Sequence, residues 1–232
     1  MNISEEQFER FCKSGEIPFV RLEPDGEKTP DYEVILGGER MIFEIKELTP
    51  NEEDTRALRE MEEKHSASWG MGKVGNRIRY KIDDAKRQLE RLASGRYPGV
   101  VLLYDARPQI IRGVYTYEIE VAMYGFETID LHVSDKIGEP VTFGKHRFGK
   151  GKKIRRDCHT FISAVGVLQE RNSDGTLHMD LYHNVFAEKP LPLDKLVRRE
   201  DISLFTVAPG KGDEFRGWVQ IVSEQEYKKG EQ

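Results

Sequence analysis

The chain has 232 residues, 38% hydrophobic and 33% charged, with 36 Lys/Arg against 41 Asp/Glu and a formal net charge of −5. Its apolar and aromatic content suffices for a sizeable core and excludes wholesale disorder, and the length fits one large domain. The mild acidity excludes a protein that coats nucleic acid by bulk charge.

Ser4 followed three residues later by Gln7 forms a capping box, with Ile3 and Phe8 as a hydrophobic staple, so a short helix is expected to start there. Phe8, Phe11 and Cys12 make its apolar stripe and Gly15 its stop. Ile17 to Leu22 reads as a strand. Asp31 to Leu36 and Glu39 to Lys46 flank Gly37-Gly38, which predicts a hairpin with a two-residue turn. Residues facing each other across that turn have numbers summing to 75. One face then carries Tyr32, Val34, Leu36, Met41, Phe43 and Ile45, aimed at a core. The other carries Asp31, Glu33, Arg40, Glu44 and Lys46, with Ile35 and Ile42 among them.

Asn51 to Lys64 reads as a helix rich in acids. Val74, Ile78, Ile82, Ala85, Leu89 and Leu92 step by three or four, predicting a long amphipathic helix from Val74 to Leu92. Val100 to Tyr104 is an uninterrupted apolar run, the pattern of a strand buried on both faces. Helices on either side of strands indicate an α/β fold with a central mixed β-sheet flanked by helices. Beyond this, Tyr117 to Tyr124 reads as a helix, Ile129 to Val133 as a strand, and Thr160 to Gln169 with Leu177 to Tyr182 as a strand pair. No internal repeat or low-complexity linker divides the sequence. One domain over residues 1–232 is expected, with 1–110 as its core and 111–232 as a C-terminal elaboration with additional strands.

Two cysteines, Cys12 and Cys158, stand far apart and provide neither a disulfide framework nor a zinc quartet. No apolar run approaches the roughly 20 residues that cross a bilayer, and Met1 to Glu6 lacks the design of a secretory signal. A cytoplasmic protein without a membrane partner is expected.

The chemistry concentrates in the hairpin. Asp31 and Glu44 sum to 75 and should lie directly opposite each other on the polar face, with Cβ atoms roughly 4.5 to 5.5 Å apart. Facing carboxylates repel, and a strand pair gains from them only when a cation lies between. A hard divalent cation such as Mg²⁺, or Mn²⁺, held by one or two carboxylates with water and substrate phosphate, meets that requirement. Lys46 projects from the same face two residues on, about 6.6 Å along the strand, within reach of a phosphate oxygen or a metal-bound water.

Pro30-Asp31 followed by Glu44-Ile45-Lys46 resembles the PD-(D/E)xK signature of the restriction-endonuclease-like nucleases. The order helix, strand, hairpin strands, helix, buried strand is similar to that family's core, and the resemblance covers about Ser4 to Asp105. It implies a restriction-endonuclease-like fold and a Mg²⁺-dependent nuclease in which Asp31, Glu44 and the Ile45 backbone carbonyl bind the metal and Lys46 positions or activates the attacking water. It also implies a first-helix glutamate at the site, which Glu5 fits, three residues before Phe8; the plainer role of Glu5 is a first-turn acid favoured by the helix dipole. Some relatives place Gln and Tyr four apart on the helix after the motif. Here Gln88 is followed by Leu92, so the tyrosine is absent, and Gln88 and Lys81 stand as candidate active-site contacts on that helix or as its plain surface.

Charge is unevenly spread. Lys145 to Arg156 holds seven Lys/Arg and no acid, which leaves 29 Lys/Arg against 41 acids, or −12, elsewhere. Within it Lys150, Lys152, Lys153, Arg155 and Arg156 have the composition of a flexible loop that tracks a nucleic-acid backbone, or of a solvated surface loop. The expected partner is DNA, with RNA as the variant, and a homodimer if both strands of a duplex are cut. The alternative is a non-catalytic nucleic-acid-binding or protein-interaction module that retains the nuclease fold.

Overall fold

In the computed structural model, which describes residues 2–24, 29–68, 73–136, 138–148, 151–171, 175–209 and 215–222, helix α1 spans Ile3–Ser14. Its cap is Asn2, two residues earlier than expected. The Asn2 side chain accepts from the Glu5 amide at 2.9 Å and the Glu5 carboxylate accepts from the Asn2 amide at 3.2 Å. That box places Ser4 inside the helix, where its hydroxyl donates to Asn2 at 2.6 Å, and leaves Ile3 exposed instead of stapled. Both Asn2 and Ser4 are good caps; the acid at Glu5 decides between them by answering the Asn2 amide.

The strands β1 (Phe19–Arg21), β2 (Tyr32–Leu36) and β3 (Glu39–Leu48) form an antiparallel meander. Gly37 and Gly38 adopt φ of 60° and 77°, the left-handed pair that a type I′ hairpin turn needs. The register follows from that turn: Tyr32 pairs with Phe43 and Leu36 with Glu39, as the sum of 75 requires. Helices α2 (Glu52–Lys64) and α3 (Asn76–Ala93) lead to β4 (Gly99–Asp105), which lies parallel to β3 and is buried throughout. Helix α3 begins two residues after Val74 because Gly75 takes φ +74°. A Cβ on Gly75 would sit 2.9 Å from the Glu118 carbonyl, so the missing side chain lets α3 start against its neighbour.

A 3-10 turn (Gln109–Ile111) precedes α4 (Thr116–Tyr124), and β5 (Glu127–His132) pairs with β6 (Thr142–Phe148) as a separate two-stranded ribbon. The remaining strands, β7 (Ile162–Glu170), β8 (Leu177–His183), β9 (Ile202–Pro209) and β10 (Phe215–Ile221), continue the main sheet, with α5 (Leu193–Leu196) between β8 and β9. Eight strands run in the order β1-β2-β3-β4-β7-β8-β9-β10, parallel at β3/β4, β4/β7 and β8/β9 and antiparallel at the other pairs. The fold is α/β, a mixed sheet flanked by helices.

Both faces of the sheet are packed. Phe8 of α1 lies 5.0 Å from the Tyr32 ring and 5.3 Å from Phe43, and the six apolar hairpin residues named from sequence all join this core. On the other face Ile78, Ile82, Ala85, Leu89 and Ala93 of α3 meet Ile42, Val101 and Leu103. The hairpin's polar face is therefore covered over Ile42, Glu44 is buried beside it and Lys46 partly so, while Ile35 and Arg40 nearer the turn stay exposed. The basic run departs from the expected loop: its first part is strand β6, and Ile154 is fully buried against α4. Among the described residues no helix is long and apolar enough to cross a membrane.

Candidate active site

Strand β3 points Glu44 and Lys46 to the α3 side and turns Ile45 to the α1 side. Asp31 lies just before β2, where the ladder ends. Its Oδ2 accepts a 2.7 Å hydrogen bond from the Ile45 amide, so a side chain replaces the next rung and Asp31 is held beside Glu44. The Ile45 carbonyl lies on the same edge of β3 as its amide, toward Asp31. Burial raises the Asp31 pKa, the charge of Glu5 adds to that, and the Ile45 amide, Lys46 and Arg21 work against it.

Glu44 is the more unusual carboxylate. Its side chain is only 4% exposed. One oxygen sits 2.9 Å from the Lys46 ammonium, and the other is buried with no hydrogen-bond partner among the described residues. Burial and then the Asp31 charge push its pKa up to about 7, against the pull of Lys46. A buried carboxylate oxygen without a partner costs stability.

Lys46 lies between two acids, 2.9 Å from Glu44 and 2.6 Å from Asp84 of α3. Burial disfavours its charge, but the Asp84 and Glu44 carboxylates outweigh burial and raise its pKa. Sequence reading missed Asp84. The signal was present in helical angle: Lys81, Asp84 and Gln88 share one edge of α3 beside its apolar stripe. Only the packing of α3 on β3, across 38 positions, brings Asp84 to Lys46.

The remaining expected residues divide. Glu5 is close enough for its charge to raise the Asp31 pKa, while its carboxylate serves the α1 cap and lies 2.7 Å from Arg21; the first-turn role and proximity to the site coexist. Gln88 holds a buried amide oxygen with no partner among the described residues. Lys81 lines a cleft of about 810 Å³ outside the C-terminal ends of β3 and β4, and that cleft also takes in Leu48, Arg77 and Arg107. Lys153 is bound to Asp83, which is about 100° round α3 from Asp84, so the basic run meets the helix on a different side from Lys46. Lys152, Arg155 and Arg156 are exposed, and Lys150 lies outside the described residues.

Comparison with protein-family models, curated proteins and solved structures finds no match for this chain. The site therefore rests on its own geometry. Among the described residues no three His, Cys, Asp or Glu side chains converge to hold a metal. What Asp31 and Glu44 offer is a carboxylate pair with an unsatisfied buried oxygen, which suits a hard cation that keeps waters and takes further oxygens from substrate. It does not suit a structural zinc, whose four ligands are all protein groups.

Proposed function

We propose that this chain is a divalent-metal-dependent nuclease with a restriction-endonuclease-like core, hydrolysing phosphodiester bonds of DNA at Asp31, Glu44 and Lys46. The observation that carries the reading is the uncompensated oxygen of Glu44 beside Asp31, at a point of the sheet where repulsion has no structural return. Mg²⁺ or Mn²⁺ would be held by the Asp31 and Glu44 carboxylates and the Ile45 carbonyl, and would supply Lewis-acid charge and an acidified water.

The protein groups have separable tasks. Asp31 is fixed by the Ile45 amide, so its free oxygen has one direction. Lys46 carries a positive charge kept in place by Asp84, and a fixed cation next to a phosphate stabilises the charge that grows on its oxygens as water attacks phosphorus and the ester oxygen departs. The antiparallel meander, α3 and parallel β4 support the restriction-endonuclease-like core by their order and by the Asp31 and Glu44 register.

The test is hydrolysis of labelled single-stranded and duplex DNA by the purified protein with Mg²⁺, Mn²⁺ or EDTA. Metal-dependent cleavage that falls at least about 100-fold in Glu44→Gln and in Lys46→Ala is expected. Cleavage unchanged in both variants overturns the assignment, and DNA binding with no cleavage under any metal favours the binding-module alternative.

A further inference from the structure

The cleft outside the C-terminal ends of β3 and β4 lies where parallel strands of an open α/β sheet present ligand sites. Its volume of about 810 Å³ lies within the range of ligand-binding clefts. Five cationic side chains line it, Lys73, Arg77, Lys81, Arg107 and Arg112, against the acids Glu53, Asp54 and Glu118. Two of those acids have local duties. Asp54 binds Arg77 at 2.6 Å, and Glu118 accepts from the Tyr115 amide at 3.2 Å in the α4 cap. Lys73 and Lys81 pair with no carboxylate among the described residues.

Aromatic surface accompanies this charge. Tyr80 is 70% exposed and Tyr115 66% exposed, one from α3 and one from the start of α4. Exposed rings beside unpaired lysines are the combination that binds single strands, because stacking needs an open base face and phosphates need cations. A base pair in a duplex offers no such face. Along α3 the lining residue Lys81 stands three positions before Asp84, which holds Lys46; Arg77 to Asp84 is about 10 Å of helix, a span of about three stacked nucleotides.

We propose that the cleft is a single-strand-binding channel, in which Tyr80 and Tyr115 stack on unpaired bases while Lys73 and Lys81 contact phosphates, feeding the strand toward Lys46. The substrate class is a single-stranded nucleic acid or the unpaired end of a duplex. This assignment rests on the nuclease reading for its consequence and on the cleft alone for its binding.

Fluorescence anisotropy in EDTA separates the two. The probes are a labelled oligothymidylate of about 12 nucleotides, within the site sizes of known single-strand binders, and a duplex of equal length. The single strand is expected to bind at least about tenfold more tightly than the duplex. Tyr80→Ala and Tyr115→Ala should each weaken it at least about fivefold, the low end of one stacked base, while Tyr80→Phe retains affinity. Lys73→Glu with Lys81→Glu should weaken binding most at low salt and flatten its salt dependence. Binding that is indifferent to both tyrosines, or equal for duplex and single strand, overturns the channel. Tyrosine-dependent binding without metal-dependent cleavage upholds the channel and sinks the nuclease; Glu44-dependent cleavage without tyrosine dependence does the reverse. All four side chains are at the surface, and thermal melting of each variant confirms that it is folded.

Discussion

The backbone amide of Ile45 donates a 2.7 Å hydrogen bond to the carboxylate of Asp31, across the open mouth of a hairpin whose ladder has just ended. A side chain thus stands in for a strand rung and keeps the Asp31 charge close enough to raise the Glu44 pKa. Asp31→Asn keeps an acceptor for that amide and removes the charge. The variant should lose DNA hydrolysis at least about 100-fold while its stability in urea stays within about 1 kcal/mol of the parent. Initial rates and denaturant midpoints measured together would show this; a variant that unfolds early would make Asp31 a structural latch only.

Lys46 neutralises one oxygen of a carboxylate that is almost wholly buried. Removing one member of such a pair leaves the other charged and dry, which costs more than removing both. Lys46→Met is expected to destabilise by about 2 kcal/mol, below the full buried-pair figure because Asp84 is half exposed to water. Adding Glu44→Gln should recover at least half of that loss. The coupling is read from a double-mutant cycle in urea; additive losses would mean that the two charges do not depend on each other.

The hairpin register was legible in the sequence because Gly37-Gly38 favours a two-residue turn, whose length sets the pairing, and strict alternation of apolar residues admits one phase of pairing. The α3 stripe and the buried β4 run were legible for the same reason, since burial on one face or both leaves a period of its own. Asp84 was not, because its meeting with Lys46 is made by tertiary packing and leaves no local pattern. Asn2 and Ser4 compete as caps, and the outcome turns on whether Glu5 or Gln7 answers the free amide. Lys145 to Phe148 read as loop because lysine and arginine mask the alternation of strand β6. The parallel pairing of β8 with β9, across the α5 connection, is a long-range choice that neither strand announces.

His183 is buried at the end of β8, and both ring nitrogens lack a hydrogen-bond partner among the described residues. Burial lowers its pKa to about 4. The unfolded chain takes up this proton from about pH 6.5 downward and the folded chain only near 4, so stability is full above about 6.5 and falls as the pH drops through that window. The fall amounts to about 3 kcal/mol for the one residue. His178, also lowered to about 4 by burial and by Arg171, adds a similar share. His183→Leu should therefore lessen the fall in stability between pH 6.5 and 4 by about 3 kcal/mol relative to the parent, without loss at pH 8. An unchanged slope would place the proton uptake elsewhere.

Gly75 sets where α3 begins and so where Arg77 and Lys81 meet the cleft. A Cβ there would stand 2.9 Å from the Glu118 carbonyl and 3.0 Å from the Ala122 amide, in a backbone at φ +74°. Gly75→Ala combines left-handed strain of about 1 to 2 kcal/mol with a displacement of α4. It should lower stability by about 2 kcal/mol or more and weaken oligonucleotide binding more than the distant Gly95→Ala, whose added Cβ meets nothing. Thermal melts of the two variants side by side would separate the clash from the shared backbone strain.

Whether Asp31 and Glu44 together hold a divalent cation is tested, without depending on substrate or turnover, by Mn²⁺ titration followed by electron paramagnetic resonance. The wild-type chain should bind one Mn²⁺ at this pair, and Asp31→Asn or Glu44→Gln should weaken that binding at least about tenfold, the loss expected when a carboxylate ligand is removed. Mn²⁺ bound equally well by both variants, or not bound by the wild type at all, would contradict it.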